Sequence, residues 1–260
     1  MHIVPMSPWP FVTAASIMFL LLTTVNFFRY VPECSYMIFL CLFLFVSSLL
    51  LWGSDVILEG ELLRMHTILM QRSFSFAVIL FILSEVMFFF SFFWSFFHYS
   101  LSPSVFIYGV WPPVGISVIS PWDVPFLNTV ILLSSGISLT VAHRAFLYNF
   151  FITTSIYLCY TIFLGLLFTA CQLFEYMNCP FSINDSVYGS IFFLTTGFHG
   201  LHVIVGTIFL ILTLFRLWQE TFEVSIVSQN NIGFDLAVWY WHFVDVVWLF
   251  LFTAIYWWGS

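Results

Sequence analysis

Five ionisable side chains sit inside long apolar runs of this chain. Glu85 lies in Ile82-Leu83-Ser84-Glu85-Val86-Met87, His199 and His202 in Gly197-Phe198-His199-Gly200-Leu201-His202, and His242 and Asp245 in Trp239-Tyr240-Trp241-His242-Phe243-Val244-Asp245. An acidic group at the centre of a membrane-spanning helix costs about 2.5–3.5 kcal/mol on insertion scales, so each one calls for a partner or a function. The chemistry open to such groups is proton exchange, ion pairing and hydrogen bonding, with metal ligation added for the histidines. Counted along a helix from its inner end, Glu85 lies about 16 Å in, His202 about 20 Å and Asp245 about 14 Å, so all three fall near one depth. His199 and His202 are three residues apart, as are His242 and Asp245, which puts each pair on one helix face. The spacing therefore predicts Glu85 against a histidine of the sixth helix, His202 first, and His242 with Asp245. Three roles stay open for these groups. They are register-fixing internal hydrogen bonds, a proton or ion path, or contacts with lipid headgroups or a partner subunit.

Metal ligation is the sharpest rival in a chain with seven His, and spacing argues against it. A two-haem bundle wants histidines on facing helices in two matched layers, whereas only the sixth and seventh helices carry deep ones. A mixed Cys/His/Met copper centre needs those ligands together in a folded polar domain. The five cysteines (Cys34, Cys41, Cys159, Cys171 and Cys179) form no CxxC or CxxH pair and read as apolar filler. The topology places Cys34 and Cys179 on the same outer face, where a disulfide is one arrangement to test.

The elements that must position these groups follow from composition. Of 260 residues, 62% are hydrophobic and 7% charged, against about 25% charged in an ordinary soluble domain. With 36 Phe, 11 Trp and a mean hydropathy of +1.07, the chain is neither disordered nor a disulfide-stapled secreted domain. With five basic residues and a net charge of −7, it has nothing to hold nucleic acid. The reading is an all-α integral membrane protein, a single transmembrane domain over residues 1–260. About 20 apolar residues cross the hydrocarbon as a helix, and seven segments fit: 11–28, 35–52, 74–97, 126–143, 150–174, 187–215 and 236–258. Their continuous apolar character excludes the alternating pattern of an outer-membrane barrel.

All basic residues are Arg. An inner N-terminus leaves Arg64, Arg72, Arg144 and Arg216 on the inner side and only Arg29 outside, which the positive-inside rule favours. Met1–Pro10 has neither a basic n-region nor an Arg-rich amphipathic pattern, so a bacterial or organelle-encoded product is expected. Residues 98–125 form the longest expected loop, stiffened by Pro103, Trp111-Pro112-Pro113 and Pro121-Trp122. Residues 53–73 form a second loop, which gathers Asp55, Glu59, Glu61, Arg64, His66 and Arg72. No matched pair of broken helices points to a secondary transporter.

Several stretches together resemble cytochrome c oxidase subunit III: Ser7-Pro8-Trp9-Pro10, Ser84-Glu85-Val86-Met87-Phe88-Phe89, Trp111-Pro112-Pro113-Val114-Gly115-Ile116, Val124-Pro125-Phe126-Leu127-Asn128-Thr129, Gly197 to Val203, and Trp239 to Ser260. The likeness covers the chain in order and looks closest to the mitochondrial form. It implies seven helices split into bundles of two and five around a V-shaped lipid cleft, with no catalytic residue and no cofactor in this subunit. It implies haem and copper in partner subunits, subunit I as main contact, and a role in stabilising that subunit and its proton-uptake path while holding phospholipids. The implied complex reduces O2 with electrons from cytochrome c and pumps protons. The implied place is the mitochondrial inner membrane, with the N-terminus in the matrix and the C-terminus in the intermembrane space, or else the bacterial plasma membrane. By the same resemblance Glu85 and His202 match an intramembrane pair, Trp94, His98 and Arg216 match residues around a bound phospholipid, and Glu59 and His66 match positions near a lipid headgroup. Gly53, Ser54 and Leu58 depart from the family, which often has a second Trp, a basic residue and a further Arg there. A quinol-oxidase relative and a stand-alone transporter or proton channel are the alternatives.

Overall fold

A computed structural model of the chain describes residues 6–29, 34–61, 66–222 and 232–259. Among them are α1 (Trp9–Phe28), α2 (Cys34–Glu61), α3 (Ile68–Leu101), α4 (Val124–Leu147), α5 (Phe151–Met177), α6 (Ser186–Phe222) and α7 (Ile232–Leu251). α7 continues as a π-helical stretch, Phe252–Trp257, and the loop after α3 holds one short 3-10 turn, Val105–Ile107. The described residues include seven helices long and apolar enough to cross a membrane, and no strand.

Most helices overrun the apolar segments that announce them. Backbone hydrogen bonding stays favourable after the chain leaves hydrocarbon, so a helix ends where capping or a turn ends it and not where hydropathy falls. The expected loop over 53–73 is corrected accordingly. α2 carries Asp55 and Glu59 on its last turns, and α3 already begins at Ile68. Arg64 lies outside the described residues.

The chain divides into two compact units, Met1–Phe74 and Ser75–Ser260. In the first, α1 opens with Pro10 in its first turn, where a missing N–H costs nothing. Thr13 Oγ1 donates to Ser48 Oγ at 3.1 Å and Ser7 Oγ to Asp55 Oδ2 at 3.2 Å, a pairing order that makes α1 and α2 antiparallel. Small hydroxyl residues at this seam allow close approach, as apolar solvent requires. Only 11% of the most apolar stretch of α1 and of α2 is buried, against 50% in α4 and 56% in α7. The chain's core is therefore built in the second unit.

That core centres on α7. Trp241 and Trp248 are almost wholly buried and donate their indole N–H to Ser135 Oγ and Thr129 Oγ1 of α4, each at 3.0 Å. Trp241 fits because α5 and α6 present glycine to it. A Cβ on Gly165 would stand 2.7 Å from Trp241 Cη2, and one on Gly206 2.9 Å from Cε3. Ser138 and Thr161 join α4 to α5 at 2.8 Å.

Candidate functional site: intramembrane polar pairs

The five mid-membrane ionisable groups lie in the second unit at three places. Glu85 of α3 meets His202 of α6, with Oε2 2.9 Å from Nε2. His202 Nδ1 lies 2.6 Å from the Phe198 carbonyl oxygen, which can only accept, so Nδ1 carries a proton. One further proton therefore lies between Nε2 and Oε2, held either by an imidazolium facing a carboxylate or by a carboxyl facing neutral imidazole. Phe89 packs edge-on to the imidazole at 5.1 Å and Tyr240 stacks on it at 6.4 Å, which leaves little room for water around it.

His199, one turn back on α6, faces elsewhere. Its Nε2–H donates to the Val244 carbonyl of α7 at 3.1 Å, and its ring lies between Phe168 and Trp248. The third place is α7 itself, where His242 Nδ1 stands 3.8 Å from Asp245 Oδ2. That is ion-contact range but too long for a hydrogen bond. Asp245 lies against α4, and a Cβ on Gly136 would come within 2.8 Å of its Oδ2. No hydrogen bond among the described residues links the three places, and no group of three or more His, Cys, Asp or Glu there could hold a metal ion.

The residues matched to lipid sites separate widely. In the first unit Glu59 is buried near the end of α2, and the His66 ring lies where a side chain on Gly60 would clash, edge-on to Phe74 at 5.2 Å. In the second unit Trp94 and His98 are exposed towards the C-terminal end of α3. Arg216 lies near the C-terminal end of α6, in a small crevice with Phe146, Thr154, Leu158, Leu217 and Phe234. From the Glu85–His202 contact, Trp94 is nine residues along α3 and Arg216 fourteen along α6 in the opposite direction, about 35 Å apart along the helix axes at 1.5 Å per residue. A single headgroup cannot touch both. All five cysteines are free thiols, so Cys34 and Cys179 are not linked.

Two polar contacts were not anticipated from the sequence. Asn128, Gln172, Glu175 and Tyr256 form a buried chain across α4, α5 and the π-helical end of α7. Asn128 Nδ2 donates to Gln172 Oε1 at 3.4 Å, Gln172 Nε2 to Glu175 Oε1 at 3.2 Å, and Tyr256 Oη to the same oxygen at 2.6 Å. His143 Nε2 and Asp235 Oδ1 are 2.8 Å apart, tying the end of α4 to the start of α7. The i,i+3 spacing of Gln172 and Glu175 was the one available signal.

A family model described as cytochrome c oxidase subunit III matches residues 1–260. The chain belongs to the cytochrome c oxidase subunit III family. It is 47% identical over 262 residues to the Arabidopsis thaliana cytochrome c oxidase subunit 3, covering 100% of this chain and 96% of that one. It is similar to the Myxine glutinosa subunit 3 at 47% over 259 residues, covering 100% and 97%, and to that of Chondrus crispus at 45% over 259 residues, covering 100% and 94%. These relatives carry the cytochrome c oxidase name and not that of a quinol oxidase or a transporter. The Glu85–His202 contact is a helix-to-helix bond between α3 and α6.

Proposed function

We propose that the chain is a non-catalytic core subunit of cytochrome c oxidase in the mitochondrial inner membrane. It braces the haem- and copper-bearing subunit I and the mouth of its proton-uptake path, and it holds phospholipids. The redox centres belong to the partner subunits. The observation that carries this reading is how the mid-membrane polar groups are used: Glu85 on His202, His199 on the Val244 carbonyl, and Asp245 against the α4 backbone at Gly136. The first two bond one helix to another and the third packs against a neighbouring helix, which is what a scaffold needs. A proton path needs instead a continuous chain of such groups.

Arg216 in its crevice suits an anionic headgroup on the inner side, since a guanidinium offers paired donors to phosphate. Trp94 and His98 suit the outer interface, where amphipathic rings settle. The N-terminus lies in the matrix on this reading. Arg72 opens α3, and Arg144 and Arg216 lie near the closing turns of α4 and α6, so alternate crossing puts all three on one side.

The test is a mild detergent extract resolved by native electrophoresis. The subunit is expected to travel with haem absorbance and with co-purifying phospholipid seen by mass spectrometry. A free, haem-less species that moves solutes in liposomes would support the transporter alternative and end this reading.

A further inference from the structure

Glu175 and Asn128 are 5% and 0% exposed, yet each keeps one buried oxygen, Glu175 Oε2 and Asn128 Oδ1, with no hydrogen-bond partner among the described residues. Turning the amides over does not help. Tyr256 Oη and Gln172 Nε2 both donate to Glu175 Oε1, so Gln172 presents its oxygen to Asn128, which must answer with Nδ2 and leave Oδ1 outside the chain. Trp111 Nε1–H is a third buried atom of this kind, and its ring belongs to the same end of the bundle. It packs on Tyr188, Tyr188 stacks on Phe192, and Phe192 meets the Tyr256 ring. Buried acceptors are seldom left bare, because they forfeit a bond to water and gain none. Glu175 is two residues from the end of α5 and Asn128 four from the start of α4, about 3 Å and 6 Å along the helix axes, so both lie near the membrane surface.

We propose that this end of α4 and α5 is a built water-binding site, in which ordered water donates hydrogen bonds to Glu175 Oε2 and to Asn128 Oδ1. The inference goes beyond the oxidase reading above and does not depend on it. Both open oxygens are acceptors, so their ligand must donate. Asn128 Nδ2 spends one of its two hydrogens on Gln172, so an acceptor on the ligand finds use as well. Water carries two donors and two acceptors and makes the 2–4 polar contacts usual for a buried molecule. A metal cation fits poorly. Hard cations such as Ca²⁺ take about six to eight oxygens, only two side-chain oxygens are open here, and no group of three or more His, Cys, Asp or Glu among the described residues could hold one. A lipid headgroup is too large to reach groups this closed.

The test is a structure of the intact complex at a resolution that shows ordered water, determined once in sodium and once in rubidium salt. Density is expected about 2.7–3.2 Å from Glu175 Oε2 and from Asn128 Oδ1, with the same strength in both salts. A direct contact between the two oxygens, which means a shared proton, would overturn the site. So would density that grows in rubidium, which means a cation, or a side chain of another subunit in the same place. Glu175→Leu removes the acceptor, and the density beside position 175 is expected to be lost with it. Density that stays at full strength would show that the carboxylate does not hold it and would also overturn the site. Should Glu175→Leu fail to assemble, the unmodified complex in the two salts decides alone. The chain is purified in whatever complex it travels with, so a failure of the oxidase reading leaves this test standing.

Discussion

Glu85 and His202 illustrate how a polar pair becomes tolerable in hydrocarbon. The Phe198 carbonyl fixes the His202 tautomer, so the pair shares a single proton and is neutral overall in either arrangement. Removing one member leaves the other unpaired, which costs about 1–3 kcal/mol for a buried group. The Glu175 chain obeys the same rule near the C-terminal end of α5. Tyr256→Phe removes the 2.6 Å donor, and loss of about 1–3 kcal/mol of stability is expected, read as a lower midpoint in detergent melting. An unchanged midpoint would mean that Gln172 suffices. Cys179, just beyond α5, offers a pH readout. Burial chiefly, with the charge of Glu175 adding, pushes its thiol above the ordinary value of 9.0, while the Phe181 backbone N–H opposes. Less thiolate is then present at any given pH, so the alkylation profile should lie at higher pH than that of a free cysteine peptide, and a coincident or lower profile would refute this. At this scale Glu85, His199, His202, His242 and Asp245 could be found from sequence because ionisable groups are rare inside apolar runs. Glu175 does not stand out in the sequence, because a carboxylate near a helix end looks ordinary and its partner Tyr256 is 81 residues away.

Helices depend on how closely their backbones approach. Gly165 sits where a Cβ would collide with Thr207 Cγ2 and lie 2.7 Å from the Trp241 ring, so α5, α6 and α7 meet only because no side chain is there. Gly165→Val is expected to destabilise the bundle by about 1–3 kcal/mol through overpacking, seen as earlier loss of the folded subunit on heating. Adding Thr207→Ser, which deletes the clashing methyl, should recover part of that loss and leave the clash with Trp241. No recovery would place the strain elsewhere. Hydropathy located all seven helices because hydrocarbon demands about 20 apolar residues each. It could not find their ends, since helix α2 carries Asp55 and Glu59 beyond the apolar run.

For the whole molecule, the two units differ in what their surfaces leave to others. α1 and α2 bury few side chains, while α4 and α7 bury about half of theirs, so the second unit is the self-sufficient core. The division has a trace in composition: α4 and α7, the most buried spans, are the least apolar, with mean hydropathy 1.7 and 1.5 against 1.9 and 2.4 in α1 and α2. The central claim is that the submerged ionisable groups hold helices and subunits together and do not carry electrons or protons. Its most direct test is an oxidase purified with Glu85→Ala in this subunit, followed by haem spectra, initial electron-transfer rate and subunit retention through repeated turnover. The account predicts intact spectra and a near-normal initial rate, with the subunit or its lipid lost progressively. Immediate loss of the haem spectrum or of initial turnover, with the subunit still bound, would contradict it.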